Sequence, residues 1–335
     1  MQVGWHNGVT ITTERQLLRF DPQNQKIINA PAFISHAHGD HLRRLSSKVQ
    51  NYLTPETLDI ARIKTKCENT TPIYLGRTIR LDEFEIVAHN AGHMLGSAQF
   101  EIHMPDFTVV YTGDINCRNM FTTTAAESIT CDILILETTY GVPFYAFPDL
   151  TQTATDIVGW AIGEIKAGKI PVFKAYSGGK AQEIVKIFNT MTKIPVVVED
   201  KVASITDAYI KNGVSLEYVR STEAEAQELF KSGECVYLSS RSDRLKNLTN
   251  ASIAVATGWA LGKQFQGTNN ARATFPLSGH ADFIQLVEYV KLAKPKEVLT
   301  VHGFKKEFAD YITRKVGIKA RPIPPMNQKL LREYL

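Results

Sequence analysis

Three imidazoles and one carboxylate fall within six positions, 36–41, of the string Ser35-His36-Ala37-His38-Gly39-Asp40-His41. Imidazole and carboxylate are strong ligands for zinc and similar divalent ions. The run Ala32-Phe33-Ile34-Ser35 just before it reads as a short buried strand. At a strand end, residues i and i+2 point alike, so His36 and His38 can grip one ion. The following turn swings Asp40 and His41 toward a second. The competing reading, a solvated histidine-rich loop, offers no reason for this alternation. Whatever the chain folds into must place strand ends around these side chains.

The rest of the sequence is ordinary enough to make that cluster stand out. The 335 residues carry 38 basic and 34 acidic side chains, a formal charge of +4 that permits a polyanionic partner but does not demand one. With 44% hydrophobic and 21% charged residues the chain is globular, and its length suggests about two domains. No apolar run approaches the ~18 residues of a membrane span. The start, MQVGWHNGVTITTERQ, has no basic segment followed by a hydrophobic one, so a cytoplasmic protein is expected. Cys67, Cys117, Cys131 and Cys235 lack CxxC spacing, which argues against a disulfide framework or a cysteine-zinc site.

The first stretch reads as β-rich, with strands at Val9–Thr12, Gln16–Phe20, Phe84–His89, Ala98–His103, Thr108–Thr112 and Ile133–Glu137. Around Tyr140 the texture changes. Ala154, Ile157, Val158, Ala161, Ile162 and Ile165 recur at helical spacing up to Gly168, and strands and helices then alternate over about 130 residues. This rhythm predicts a Rossmann-like parallel sheet. A helix over Phe283–Leu292, a strand over Glu297–His302 and a helix over Lys305–Val316 close the chain. With no Gly/Ser linker in sight, the second domain reads as an insertion, giving boundaries of 1–145, 146–272 and 273–335.

The histidine string resembles the second motif of the metallo-β-lactamase superfamily, and the other motifs follow in order. Asp21 in Phe20-Asp21-Pro22, His93 in Gly92-His93-Met94 and Asp114 in Thr112-Gly113-Asp114 match the first, third and fourth. Glu137 in Leu136-Glu137-Thr138, His280 in Ser278-Gly279-His280-Ala281-Asp282 and His302 in Val301-His302-Gly303 are similar to motifs A, B and C of the β-CASP nucleases. Within that family the stretch Cys131–Pro148 is most similar to compact mRNA 3′-end processing and DNA-ligase-associated exonucleases. The resemblance implies an α/β chain: an αββα metallo-β-lactamase sandwich with an inserted Rossmann-like β-CASP domain.

It also implies two Zn2+ per chain, with His36, His38 and His93 on one, Asp40, His41 and His302 on the other, and Asp114 bridging. Asp21 then orients a ligand histidine from behind. His280 is the candidate general acid, which Glu137 hydrogen-bonds and keeps cationic. The implied partner is nucleic acid, RNA or DNA, single-stranded or with free ends, cut by a 5′ exonuclease. The sequence Val301-His302-Gly303-Phe304 departs from the VHGE of RNA-processing members, so the choice of sugar stays open. So does homo-oligomerisation. A small-molecule hydrolase of the same fold, acting on a lactam, thioester or lactone, is the alternative, and the inserted domain counts against it.

For substrate contacts, Ser177-Gly178-Gly179-Lys180 at a helix start offers backbone N–H groups, a hydroxyl and an ammonium to a phosphate, although a plain strand-to-helix connection explains the glycines equally well. Ser278 could meet a terminal phosphate, as similar serines do in the family. Arg43, Arg44, Lys174, Arg272, Lys305 and Lys306 are further cations. Trp160 or Trp259 could stack a base; the helical spacing around Trp160 favours a core position, and Trp259 is undecided. His6, His89 and His103 carry no ligand spacing.

Overall fold

The computed structural model describes residues 1–23, 29–42, 45, 48–240, 248, 250–262 and 271–326. The chain opens with β1 (Gln2–Trp5), β2 (Val9–Thr12) and β3 (Leu17–Phe20) in antiparallel order. β4 (Ala32–Phe33), β5 (Asn51–Leu53) and β6 (Thr70–Pro72) extend this sheet in parallel. Between β5 and β6 runs α1 (Pro55–Lys64). Thr54 caps it by accepting from Thr57 N at 3.2 Å, and Pro55 fills the first turn, where no intrahelical donor is needed. A second sheet follows with β7 (Thr78–Leu81), β8 (Phe84–Asn90), β9 (Ala98–Met104), β10 (Phe107–Tyr111) and β11 (Ile133–Glu137).

The alternating segment then supplies α2 (Leu150–Lys166), β12 (Ile170–Lys174), α3 (Lys180–Met191), β13 (Val196–Val198), α4 (Asp200–Lys211), β14 (Val219–Arg220), α5 (Ala224–Ser232), β15 (Val236–Ser239), β16 (Ala251–Ala256) and β17 (Ala271–Phe275). The chain ends with α6 (Phe283–Ala293), β18 (Glu297–Val301), α7 (Lys305–Tyr311) and β19 (Lys319–Pro322). It divides into two compact units: Met1–Asn119, Thr124–Pro143 and the chain from His280 onward form one, and Met120–Thr123 with Phe144–Gly279 form the other.

The first unit is an αββα sandwich. Its sheets run β1-β2-β3-β4-β5-β6 and β19-β18-β11-β10-β9-β8-β7. Apolar side chains from facing strands fill the layer between them: Val9, Ile11, Phe20 and Phe33 from one sheet, Phe84, Phe100, Ile102, Val109 and Leu299 from the other. Phe20, Phe33 and Phe100 form a ring cluster with centroids 5.3–5.6 Å apart, a geometry that adds to simple area burial. Outside the first sheet, Leu58 and Ala61 of α1 cover Ile34 and Leu53. Outside the second, Leu286 and Val290 of α6 and Phe308 of α7 cover Val110, Leu134 and Val298. Asp282 starts α6 with a reciprocal capping box to Gln285.

The second unit is a wholly parallel six-stranded sheet, β14-β13-β15-β12-β16-β17, interleaved with α2–α5, the Rossmann-like architecture that the periodicity predicts. Asp149 caps α2 through Thr151 N and Gln152 N. The buried Glu183 carboxylate of α3 accepts from Phe121 N, Thr122 N and the Thr122 hydroxyl, which ties residues 120–123 to this unit. The last helix differs from expectation: α7 stops at Tyr311, and Ile312–Val316 widens to a π turn that Gly317 closes through its N–H to Ile312 O at 3.1 Å. Among the described residues, no helix is long and apolar enough to cross a membrane.

Candidate metal centre

Strand ends in the first unit converge on one place. Asp21 follows β3, and its N–H donates to Phe33 O of the adjacent parallel strand at 2.9 Å. His36 follows β4. A tight turn, with His41 N and Leu42 N both reaching back to His38 O at 3.2 and 2.8 Å, curls the chain so that His36, His38 and His41 face inward. Leu42 anchors that turn in the apolar cluster with Leu53 and Leu58. His93 sits between β8 and β9 in a turn held by Ser97 Oγ, which accepts from His93 N and Met94 N at 3.0 and 3.2 Å. Asp114, Glu137 and His302 lie at or just beyond the carboxyl ends of the parallel strands β10, β11 and β18.

Asp114 is common to three clusters of ligand-type atoms: His36, His38, His93 and Asp114; His41, Asp114 and His302; and Asp114, Glu137 and His280. Its two oxygens divide between them. Oδ2 lies 3.4 Å from His36 Nε2 and 3.7 Å from His93 Nε2, while Oδ1 lies 3.5 Å from His41 Nε2. His38 Nδ1 and His93 Nε2 are 3.1 Å apart. Asp40 Oδ2 is 3.7 Å from His41 Nε2 and is the most exposed member, with 65% of its side chain open to solvent. Asp40 therefore stands at the rim.

Asp21 sets the tautomers. Its Oδ1 accepts from Ser35 N at 2.7 Å, and its Oδ2 accepts from Ser35 Oγ at 2.6 Å, His41 Nδ1 at 2.8 Å and Tyr111 OH at 2.8 Å. With its one proton on Asp21, the Ser35 hydroxyl must accept from His36 Nδ1 at 2.9 Å. One carboxylate thus commits Nδ1–H of both histidines and turns both Nε2 atoms toward Asp114. Burial and Asp21 push the Tyr111 phenol well above its usual pKa, so it stays a donor.

The electrostatics suit a cation. Burial, then the neighbouring imidazoles, holds His36 well below the ordinary histidine pKa, so it is neutral. Its Nε2 is buried and makes no hydrogen bond, an orphaned lone pair of the kind a metal satisfies. Burial lowers His41 too, but Asp114, Asp21 and Asp40 outweigh it and raise its pKa to about 10. Burial raises the pKa of Asp114, with His41 opposing. The residues present fit a bound divalent metal.

Beside this centre His280 Nδ1 donates to Glu137 Oε1 at 2.9 Å. Burial alone would raise the fully buried Glu137. The charge and hydrogen bond of His280, with Thr139 N on Oε2 at 2.8 Å, instead hold it well below the carboxylate range. Tyr140 packs edge-on against His280 at 5.8 Å, and Trp5 packs edge-on against His302 at 5.6 Å. Ser35, Tyr111, Tyr140 and Trp5 are participants that the sequence motifs did not single out. Ser35 adjoins His36, which is a signal. Tyr111 is 90 residues from Asp21, and nothing local betrays it.

His302 and Gly303 both have left-handed backbone, φ 57° and 50°. A Cβ at Gly303 would lie 2.3 Å from Thr138 O, the oxygen that accepts Phe304 N. Gly303→Ala is therefore expected to cost about 3 kcal/mol or more and to lower the melting temperature by on the order of 5–10 °C. Gly168→Ala has φ 73° but open space within 4 Å, and should cost only about 1–2 kcal/mol. Differential scanning calorimetry of both variants separates packing from backbone strain, and equal losses would contradict the close approach.

Ser177, Gly178, Gly179, Lys180 and Ser278 belong to the second unit. Gly179 N donates to Gln182 Oε1 at 2.8 Å and Ala181 N to Tyr176 O at 3.2 Å, so two of this turn's backbone donors already serve the turn. Lys180 is buried, and Ser278 is fully buried. Arg272, Lys305 and Lys306 are exposed and Lys174 half-buried, while Arg43 and Arg44 lie outside the described residues. His89 and His103 flank Glu101 at 2.8 and 3.2 Å, a surface arrangement on the second sheet apart from the ligand clusters. Trp160 is half-buried and packs edge-on against Phe173 and Phe275. The four cysteines are free thiols, Cys131 and Cys235 buried.

An αββα sandwich with a histidine–aspartate cluster at its strand ends defines a metallo-hydrolase of the metallo-β-lactamase fold. Residues 270–322 match the family described as the Zn-dependent metallo-hydrolase RNA specificity domain. The chain is 31% identical to a probable DNA ligase of Opitutus terrae over 89% of its own length, and spans 29% of that relative. It is 23% identical to the RNase aCSPSF2 of Saccharolobus solfataricus, with 88% of this chain and 73% of that one aligned. Among solved structures, a protein of unknown function from Enterococcus faecalis V583 superposes with a TM-score of 0.63 over 90% of this chain and 80% of that one, at 15% identity, a likeness of fold alone. In its fold and in these likenesses the chain resembles the β-CASP nucleases of the metallo-β-lactamase superfamily.

Proposed function

We propose that the chain is a two-zinc phosphodiesterase that cuts single-stranded or end-exposed nucleic acid, RNA or DNA, as a 5′ exonuclease of RNA processing or DNA repair. The observation that carries this reading is Asp114, whose two oxygens face two separate histidine groups beside the His280–Glu137 pair. The names of the relatives, an RNase and a DNA ligase, support nucleic acid as the substrate class.

His36, His38, His93 and Asp114 would hold one ion, and Asp40, His41, His302 and Asp114 the other. Bound divalent cations supply Lewis-acid polarisation of a phosphoryl oxygen and lower the pKa of water. The protein's own groups do the rest. Asp21 keeps His36 and His41 in the tautomer that presents Nε2. Glu137, ionised, takes the Nδ1–H of His280, so the proton for the departing alkoxide comes from Nε2.

This role has a leaving-group signature. His280→Ala should slow hydrolysis of an oligonucleotide by about 10²–10⁴-fold. Turnover of bis(p-nitrophenyl) phosphate, whose phenolate departs without a proton, should fall far less. Equal losses on both substrates would remove His280 from the proton transfer. The reading as a whole is tested with matched RNA and DNA oligonucleotides bearing 5′-phosphate, 5′-hydroxyl or blocked 3′ ends. Shortening from the 5′ end is expected, insensitive to the 3′ block. Release of product from the 3′ end would reverse the polarity, and inert oligonucleotides would refute the function.

A further inference from the structure

Exposed aromatic rings gather at the carboxyl edge of the second unit's parallel sheet. β12 and β16 are neighbouring parallel strands whose last pairing is Lys174 with Val255. Tyr176 and Trp259 therefore leave the sheet at the same edge, from strands ~4.8 Å apart. Tyr176 is 68% exposed, Phe144 54% and Trp259 38%. The carboxyl edge of a parallel α/β sheet is where such folds bind ligands.

These rings are built in rather than stranded. Tyr145 is buried and stands edge-on between two of them, 5.3 Å from Phe144 and 5.4 Å from Trp259. The 3-10 turn Gly258–Leu261 fixes the Trp259 backbone, with Trp259 N donating to Thr257 Oγ1 at 3.4 Å and Gly262 N to Trp259 O at 2.8 Å. A side chain at Gly262 would run into the Tyr145 hydroxyl at 2.9 Å, so the turn closes tightly over that post. Lys180 Nζ lies 5.0 Å over the Tyr176 ring. The segments 174–182 and 257–262 carry two lysines and no acidic residue.

We infer that this edge is a base-stacking site for single-stranded nucleic acid, with Trp259, Tyr176 and Phe144 as the ring platform and the half-buried Lys174 as the cation nearest the phosphates. Flat rings held edge-on by a buried neighbour, on segments that carry lysine and no acidic residue, suit a polyanion with unstacked bases. The inference rests on the nucleic-acid reading of the metal centre, but it makes a separate claim: the protein grips bases as well as backbone.

The test is equilibrium binding by fluorescence anisotropy, with the full chain and a cleavage-resistant phosphorothioate oligothymidylate set against its abasic counterpart. The wild type should prefer the base-bearing strand by about tenfold or more. Trp259→Ala should abolish most of that preference while Trp259→Phe keeps it, and Tyr176→Ala, at a largely exposed ring, should weaken it without threatening the fold. Equal binding of both strands by the wild type, or an undiminished preference in Trp259→Ala and Tyr176→Ala, would overturn the site. Base preference without cleavage of an ordinary oligonucleotide leaves the site standing and sinks the nuclease reading. Cleavage with no base preference does the reverse.

Discussion

Asp114→Asn is expected to cut phosphodiester hydrolysis by at least about 10³-fold while leaving the protein folded. Asp114 belongs to all three ligand clusters and divides its oxygens between His36 and His93 on one side and His41 on the other. An amide has one acceptor oxygen and presents N–H donors on its other arm, so it can serve one group at most. Metal analysis of the purified variant should fall from about two ions per chain toward one or none. Core packing is untouched, because the strand beneath it, β10, is held by Val109 and Val110 in separate apolar layers. Its circular dichroism and unfolding midpoint should stay near those of the metal-free wild type. Full activity with normal metal content would contradict the bridging assignment.

The second large effect is expected from Asp21→Asn, which touches no substrate. The carboxylate accepts four hydrogen bonds, and a carboxamide cannot. If the amide nitrogen takes the Oδ1 position, Ser35 N–H loses its partner. If it takes the Oδ2 position, it confronts Ser35, His41 and Tyr111 together. Either way a buried donor goes unsatisfied and His41 loses a charge that holds its tautomer, a cost of about 2–4 kcal/mol. Zinc affinity, read by competition with a chromogenic chelator, should weaken by about 10–100-fold. Excess zinc should then restore much of the activity, a rescue not expected for Asp114→Asn. Tyr111→Phe removes one donor of the four and should cost only about 1 kcal/mol. Unchanged zinc affinity in Asp21→Asn would show that the histidines need no such orientation.

The sequence made the clustered histidines and aspartates legible and their supports largely not. The alternation His36, His38, then Asp40 and His41, is local, and local geometry at a strand end explains it. The β-α-β rhythm from Ala154 onward is equally local, and the six parallel strands of the second unit follow from it. The hub at Asp21 is different in kind. It joins residues 14, 20 and 90 positions away, and only the pairing of β3 with β4 and the stacking of two sheets bring them together. Short strands such as β5 and β6, three residues long each, carry too few positions for any period to register. The helix α1 has no reading in the sequence, because its apolar positions form too weak a stripe, although Thr54 caps it and Pro55 fills its first turn. At Ser177–Lys180 the glycines are compatible with a phosphate cradle and with a self-satisfied turn. Gln182, whose side-chain oxygen accepts from Gly179 N, is a partner that the local pattern of glycines does not announce. Helical spacing sets Trp160 toward the core, whereas Trp259 carries no such period, and only its exposure in the fold places it at the surface.

The central claim is metal-dependent cleavage of nucleic acid, and one time course tests it most directly. A 5′-phosphorylated single-stranded oligonucleotide is incubated with the chelator-stripped protein, with the stripped protein refilled with zinc, and with untreated protein, beside a chromogenic β-lactam. Cleavage that vanishes on stripping and returns with zinc, with the β-lactam untouched, is the result predicted from the clusters around Asp114. Full cleavage by the stripped protein, or robust β-lactam turnover with intact oligonucleotide, would contradict it.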